Sequence, residues 1–221
     1  MSRCRNRQLK IAILGASGSV GRELVTQAVA AGHDVTVLVR HTPGPGLFDP
    51  RVTVVQGDAG DPDSVNRAIA GSDAVLSALG HAKGSPQDVL AIATSNMVAA
   101  MRAHGIRRLV VLASPSVTEQ GDRPGLFYRF VRLAMPLAMR AVTLDHRAQS
   151  RLVMESGLDW TIVRGALGFT DGPHTGRYQA GPMTPDAGRS ISRADLAECM
   201  LASATQGTFV HALPLVSHKD E

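Results

Sequence analysis

LKIAILGASGSVG, residues 9–21, decides the fold. An apolar, isoleucine-rich run (9–14) stops at Gly15. Gly15, Gly18 and Gly21 then lead straight into a segment of helical period (19–31). A strand that turns at once into a helix through glycines lets the backbone come close to a pyrophosphate. The helix start then presents free N–H groups and its positive dipole end to that group. The spacing is GxxGxxG rather than GxGxxG. Glycines in such a pattern are a weak signal alone; their place after the first strand gives them weight. The plain alternative is a tight turn that binds nothing.

Outward from this turn, short β-branched runs alternate with longer segments of helical period. The runs are 34–39, 52–56, 73–79, 108–113, 159–163 and 208–213. The first five of the seven are apolar enough to be buried on both faces, as parallel strands are. Helices are expected after Asp61–Pro62 (62–70) and after Ser85–Pro86 (86–103), each with a capping residue and then proline at the first helical position. The pattern predicts an α/β fold: a single Rossmann-type doubly wound parallel sheet with helices on both faces. The Pro/Gly-rich patch 42–50 reads as a surface loop. Residues 125–142 are amphipathic and rich in Met and Phe, with a break or kink expected at Pro136. They suit a cap over a substrate pocket, a dimer face or ordinary core. A further helix is expected at 144–156. The expected organisation is a basic disordered tail (1–8), the Rossmann domain (9–216) and a short C-terminal tail (217–221).

The second strand ends in Arg40, 19 residues past Gly21. An acidic residue near this position accepts a hydrogen bond from the ribose 2′-OH of NAD. An arginine fork instead binds a 2′-phosphate by charge-assisted hydrogen bonds. The expected cofactor is therefore NADP(H). Asp58, next to Ala59 after the third strand, can accept from the adenine amino group or serve turn chemistry. Leu79 and Gly80 end the fourth strand and Ser114 the fifth, at the sheet edge where ligands bind.

The 221 residues suit one domain, and 44% hydrophobic with 19% charged residues excludes disorder as the main state. Cys4 and Cys199 are too few and too far apart for a disulfide framework or a cysteine zinc site, and no metal is expected. No apolar run is long enough to span a membrane, and the basic start lacks a signal-peptide core. A cytoplasmic protein is expected. With no spanning run, no membrane partner is expected; the net charge of +4 is scattered and aromatics are 4%, so no nucleic-acid partner is expected either.

Together KIAILGASGSVG (10–21), VTVLVR (35–40), GDAGDPDSV (57–65), DAVLSALG (73–80), MRAHGIRRLVV (101–111), ESGLDWTIVR (155–164), TGRY (175–178) and ISRADLAECML (191–201) resemble the atypical short-chain dehydrogenase/reductase superfamily. The group it looks most like contains biliverdin-IX-beta reductase, a flavin reductase, and bacterial NADH-flavin reductase-like proteins. The resemblance implies NADP bound by Gly15, Ala16, Ser17, Gly18, Ser19, Val20, Arg40, Asp58, Ala59, Leu79, Gly80 and Ser114. It places that group's active-site serine on Ser114 and its Asp–His step on Asp145–His146, making Ser114 and His146 the catalytic candidates. The sequence departs from the pattern at Gly165, where proline is usual, and near Gly168, where a histidine is missing.

Typical short-chain dehydrogenases protonate the substrate oxygen with a YxxxK pair. Here Tyr128 is followed four residues on by Arg132 and Tyr178 by Pro182, and lysine occurs only at Lys10, Lys83 and Lys219. Reducing a ketone creates an alkoxide that needs a placed proton donor. Hydride delivered to a flavin, a quinone or a similar planar acceptor leaves a delocalised anion that solvent can protonate. The expected function is an NADPH-dependent reductase of such an acceptor, as a monomer or homodimer. A non-catalytic NADP(H)-sensing regulator on the same fold is the alternative; a sugar-nucleotide epimerase fits less well. His174 and Tyr178 could reach a pocket from their loop, while Asp195 is expected only to support the helix that Ser192 caps.

Overall fold

A computed structural model describes residues 7–82 and 84–219. The expected tail at 1–8 falls almost wholly outside them, as do Lys83 and residues 220–221. The chain order is β1 (Lys10–Leu14), α1 (Ser19–Ala30), β2 (Asp34–Val39), β3 (Thr53–Gln56), α2 (Pro62–Ile69), β4 (Ala74–Ser77), α3 (Val89–Ala103), β5 (Arg108–Ala113), α4 (Leu126–Ala138), α5 (Arg140–Met154), β6 (Asp159–Gly165), β7 (Gly168–Thr170), β8 (Gln179–Gly181), β9 (Ser190–Ser192), α6 (Arg193–Gln206) and β10 (Leu215–Ser217).

The main sheet runs β3-β2-β1-β4-β5-β6-β10-β8, and β7 pairs with β9 in a small second sheet. Every pairing in the main sheet is parallel except β10 with β8. Successive strand side chains point to opposite faces. Ile11 and Ile13 of β1 accordingly enter one core and Ala12 and Leu14 the other, all fully buried. Helices α1 and α6 pack together on the first face; α2, α3 and α5 form the second layer. This is the doubly wound Rossmann arrangement expected from the sequence. The chain leaves β1 toward β2 and β3, then crosses to β4 on the other side. The crevice beyond the carboxyl ends of β1 and β4 is therefore the topological switch point where such sheets bind ligands.

Four local expectations are corrected. β3 is an edge strand that pairs only with β2, and its residues are not buried on both faces; Val54 is 41% exposed. The third helix starts at Val89, not at Pro86. Ser85 Oγ accepts from the Ala82 amide, and the first-turn amides of Leu90 and Ala91 donate to the Asp145 carboxylate instead (2.9 Å each). The stretch 208–213 is a turn, because Phe209 and His211 hold positive φ (57° and 58°) that no strand admits. The last parallel strand is β10 instead. The helical break falls at Met139, which leaves helical geometry (φ −134°, ψ 55°), and not at Pro136, which stays inside α4; the Met139 N–H still donates to the Met135 carbonyl (2.8 Å). The following helix thus begins at Arg140 rather than 144.

One buried charge fastens the frame. Arg164, at the end of β6, is 0% exposed. Its guanidinium donates to both Asp122 oxygens (2.6 and 3.0 Å) and to the Val117 carbonyl (3.0 Å). Asp122 also accepts from the Glu119 and Met183 amides. Burial pushes the Asp122 carboxyl up, but these donors outweigh it and hold the carboxyl below its usual range. The loop that carries the chain away from β5 is thereby tied to β6.

Candidate dinucleotide-binding site

A cavity of about 400 Å³ lies at the switch point. Gly15, Ser17 and Gly18 form one wall, Val39 and Arg40 another, and Gly57, Asp58 and Ala59 a third. Ala78, Leu79 and Gly80, beyond β4, close the floor, and Val89 and Ile92 of α3 add apolar surface.

The three glycines have different tasks. Gly15 has φ +80°, and a Cβ there would sit 2.6 Å from the Ala78 carbonyl carbon. At Gly21 a Cβ would collide with the Gly15 carbonyl oxygen. Both are needed for the turn itself. Gly18 is otherwise placed: its Cβ would meet only the Gly15 oxygen, at 3.2 Å. It is the N-cap of α1 and offers no side chain to the first-turn amides, and no acidic residue stands in that turn. Elsewhere α2 is capped by Asp61 and α6 by Ser192. The free start of α1 beside a glycine cradle fits a pyrophosphate.

Arg40 is exposed at the end of β2 and has no hydrogen-bond or ion-pair partner among the described residues. Its fork is free for an anion. Asp58 serves the turn and also faces the cavity. Its Oδ1 accepts from the Gly60 amide (2.7 Å), which holds the turn, while the residue lines the cavity. Asn96 of α3 clamps the same turn through the Ala59 carbonyl (3.0 Å).

Of the expected cofactor residues, Gly15, Ser17, Gly18, Arg40, Asp58, Ala59, Leu79 and Gly80 come together on this cavity. Ala16 and Val20 are buried in the core behind it, and Ser19 is exposed at the helix start. Ser114 and His146 are not on its wall. Ser114 is 9% exposed, its hydroxyl shared with Ser116 (2.9 Å) and in contact with Met135 of α4. Burial pushes the His146 pKa down, and its Nδ1 lies 3.3 Å from Gln149.

The histidine that the sequence reasoning missed is His81. It follows Gly80 directly, and its Nε2 lies 3.0 Å from Oδ2 of the buried Asp145, at an angle short of a hydrogen bond. Its ring meets that of His146 edge-on, with centroids 6.2 Å apart. Asp145 thus caps α3 and lies beside His81. The available signal was the tripeptide Leu79–Gly80–His81 at a strand end.

His174, Asp195 and Glu198 also converge, their ligand atoms within 4.8 Å of one another. Asp195 is already occupied by the Thr175 hydroxyl and amide, the Gly176 amide and His218 Nε2. These donors overcome its burial and hold the carboxyl far below its usual range. It fastens the 172–177 loop to α6, and Ser192 caps that helix by accepting from the Asp195 amide (3.0 Å). Tyr128 is buried with its hydroxyl donating to the Gly188 carbonyl (2.7 Å), a packing role. Tyr178 is half-buried beside Cys199, and burial raises both, Cys199 to about 12.

Comparison with known proteins bears on this geometry. Residues 15–207 match the model of a family described as NAD(P)H-binding. A 2-alkyl-3-oxoalkanoate reductase of Stenotrophomonas maltophilia is 39% identical over 121 residues, covering 52% of this chain and 36% of that protein. The chain therefore spans about a third of that relative's length. A solved structure from Burkholderia pseudomallei, described as a candidate exported protein, superposes with TM-score 0.76 at 29% identity, over 96% of this chain and 100% of that one. A short-chain dehydrogenase/reductase from Veillonella parvula in complex with NADP gives TM-score 0.76 at 20% identity, over 95% and 94%.

Proposed function

From the premise that the chain belongs to the NAD(P)H-binding family, we propose that it is an NADPH-dependent reductase whose acceptor is a flavin, a quinone or a similar planar conjugated molecule. Arg40 carries the cofactor preference: a guanidinium on the cavity wall, unpaired among the described residues, where an NAD enzyme has a carboxylate. In this reading the amides at the start of α1 hold the pyrophosphate and Arg40 the 2′-phosphate. Asp58 faces the adenine end, and the backbone at Leu79–Gly80 lies along the cofactor. The bound cofactor supplies a hydride; the protein supplies position and a pocket shielded from water.

The acceptor class follows from which proton donors stand near the site. No tyrosine of the chain has a lysine four residues on. Tyr128 is committed to Gly188, and partial burial pushes the His146 pKa down. Among the described residues, His81 follows the end of β4 closely, with its ring beside Asp145. A delocalised acceptor needs no stronger help. Ser114, under Met135, is left a minor hydrogen-bonding part.

The test is oxidation of NADPH, followed by loss of its near-ultraviolet absorbance, with FMN, FAD, quinones and dyes in turn. Turnover with at least one supports the reading. Tight NADPH binding without turnover on any of them would favour a cofactor sensor, a role consistent with the buried Ser114 and the absence of both Ser114 and His146 from the cavity wall.

A further inference from the structure

The hairpin formed by α4 and α5 carries an outward face that the fold leaves uncovered. Leu126, Phe130, Leu133 and Leu137 recur at i, i+4, i+7 and i+11, one stripe of a helix. They are 84%, 68%, 70% and 83% exposed. The other side of α4 is the packed one, where Tyr128 meets Met183 and Leu215 in a small core. Helix α4 is thus apolar toward solvent as well as toward the protein. A surface helix normally turns charged residues outward, and a contiguous exposed apolar patch marks an interaction site.

Along the segment that carries the stripe the charge has one sign. Between Asp122 and Asp145 the sequence holds no acidic residue, while Arg123, Arg129, Arg132 and Arg140 fall there. Arg129 and Arg132 join Arg147 and Arg151 of α5 around a groove of about 480 Å³ between the helices. Among the described residues, only Arg151 of these four contacts a carboxylate, Glu155 at 3.9 Å. A second copy of the chain, docked through this patch about a two-fold axis, would set these arginines against their own kind. An anionic bilayer matches both features, offering phosphates to the arginines and acyl chains to the stripe.

We propose that the α4–α5 face docks on an anionic lipid surface, with the Leu126–Leu137 stripe entering the headgroup–acyl boundary. Basic residues flanking a Leu/Phe face are the pattern of a helix that lies in the interface rather than crossing it. No helix of the described residues is long and apolar enough to cross a membrane, and this mode needs none. The proposal departs from the expectation of no membrane partner, which considered only spanning segments. It stands apart from whether the chain turns over an acceptor.

The test is sedimentation of the full chain with vesicles of phosphatidylglycerol and phosphatidylcholine, against phosphatidylcholine alone. The expected result is binding to the anionic vesicles only, weakening as salt rises. Arg132→Gln should weaken it about fivefold. Phe130→Ser should weaken it about tenfold or more. Leu137→Ser, at a more exposed site, serves should Phe130→Ser fail to fold. All three variants should keep native circular dichroism and NADPH affinity. Absence of vesicle binding, equal binding to neutral vesicles, or binding untouched by these variants would overturn the proposal. So would a concentration-dependent dimer by light scattering that Phe130→Ser dissolves, in a chain that ignores vesicles.

Discussion

Replacing Arg40 by alanine tests the cofactor reading most directly. Arg40 lines the cavity and spends no hydrogen bond or ion pair on the rest of the described chain. Its removal therefore leaves no buried partner unsatisfied, and the fold should be unaffected. A charge-assisted hydrogen bond contributes about 1.5–3 kcal/mol, or roughly tenfold to a hundredfold in affinity. The side chain is exposed, so screening by solvent and salt places the expected loss for NADPH near the lower end. NADH, which lacks the 2′-phosphate, should bind the variant almost as it binds the native protein. Arg40→Asp should go further, because a carboxylate repels the phosphate and accepts from the ribose hydroxyl; that variant should prefer NADH. The native preference should also shrink as ionic strength rises. Calorimetry gives dissociation constants for both cofactors in the three proteins. An unchanged NADPH constant in Arg40→Ala would refute the assignment and direct attention to the neighbouring His41.

Further outcomes are expected. Gly18→Val should abolish NADPH binding while circular dichroism stays native, whereas Gly21→Ala should also lower the melting temperature, because its Cβ collides with the Gly15 carbonyl; intact cofactor affinity in folded Gly18→Val would show that the loop holds no phosphate. Ser114→Ala should slow turnover about tenfold or less, the value of one neutral hydrogen bond of about 0.5–1.5 kcal/mol. A loss of many thousandfold in steady-state assays would make the serine essential and the solvent-protonation account wrong. Asp122→Ala strands the buried Arg164 guanidinium and should cost about 3–5 kcal/mol in denaturant unfolding. Because the Asp122 carboxyl is held below its unfolded value, its stabilisation is complete above the ordinary carboxylate range. It is lost as pH falls through the lowered value. The native protein should therefore lose more stability toward acid than the variant does, and parallel acid profiles would contradict this.

The local order of the chain was legible because each step rests on short-range physics. Continuous β-branched runs, glycines at a strand end and Asp61–Pro62 before a helix specify their own conformations, and β1, β2, β5, α1 and α2 lie where those signals put them. The glycine turn and Arg40 could be placed at one sheet edge because parallel strands joined by right-handed crossovers bring their carboxyl ends together. Contacts made across the fold were not legible. Helix α3 starts late because its cap is Asp145, 55 residues from Leu90. The same distant carboxylate lies beside His81. Arg164 reads as one more strand residue until the structure sets Asp122 against it. The sequence shows a Met- and Phe-rich amphipathic segment at 125–142, and its periodicity is the same whether a face meets core or solvent. Only the packing of Tyr128 and Val131 inward decides that Leu126, Phe130, Leu133 and Leu137 point out, because burial depends on what the rest of the chain places opposite a side chain.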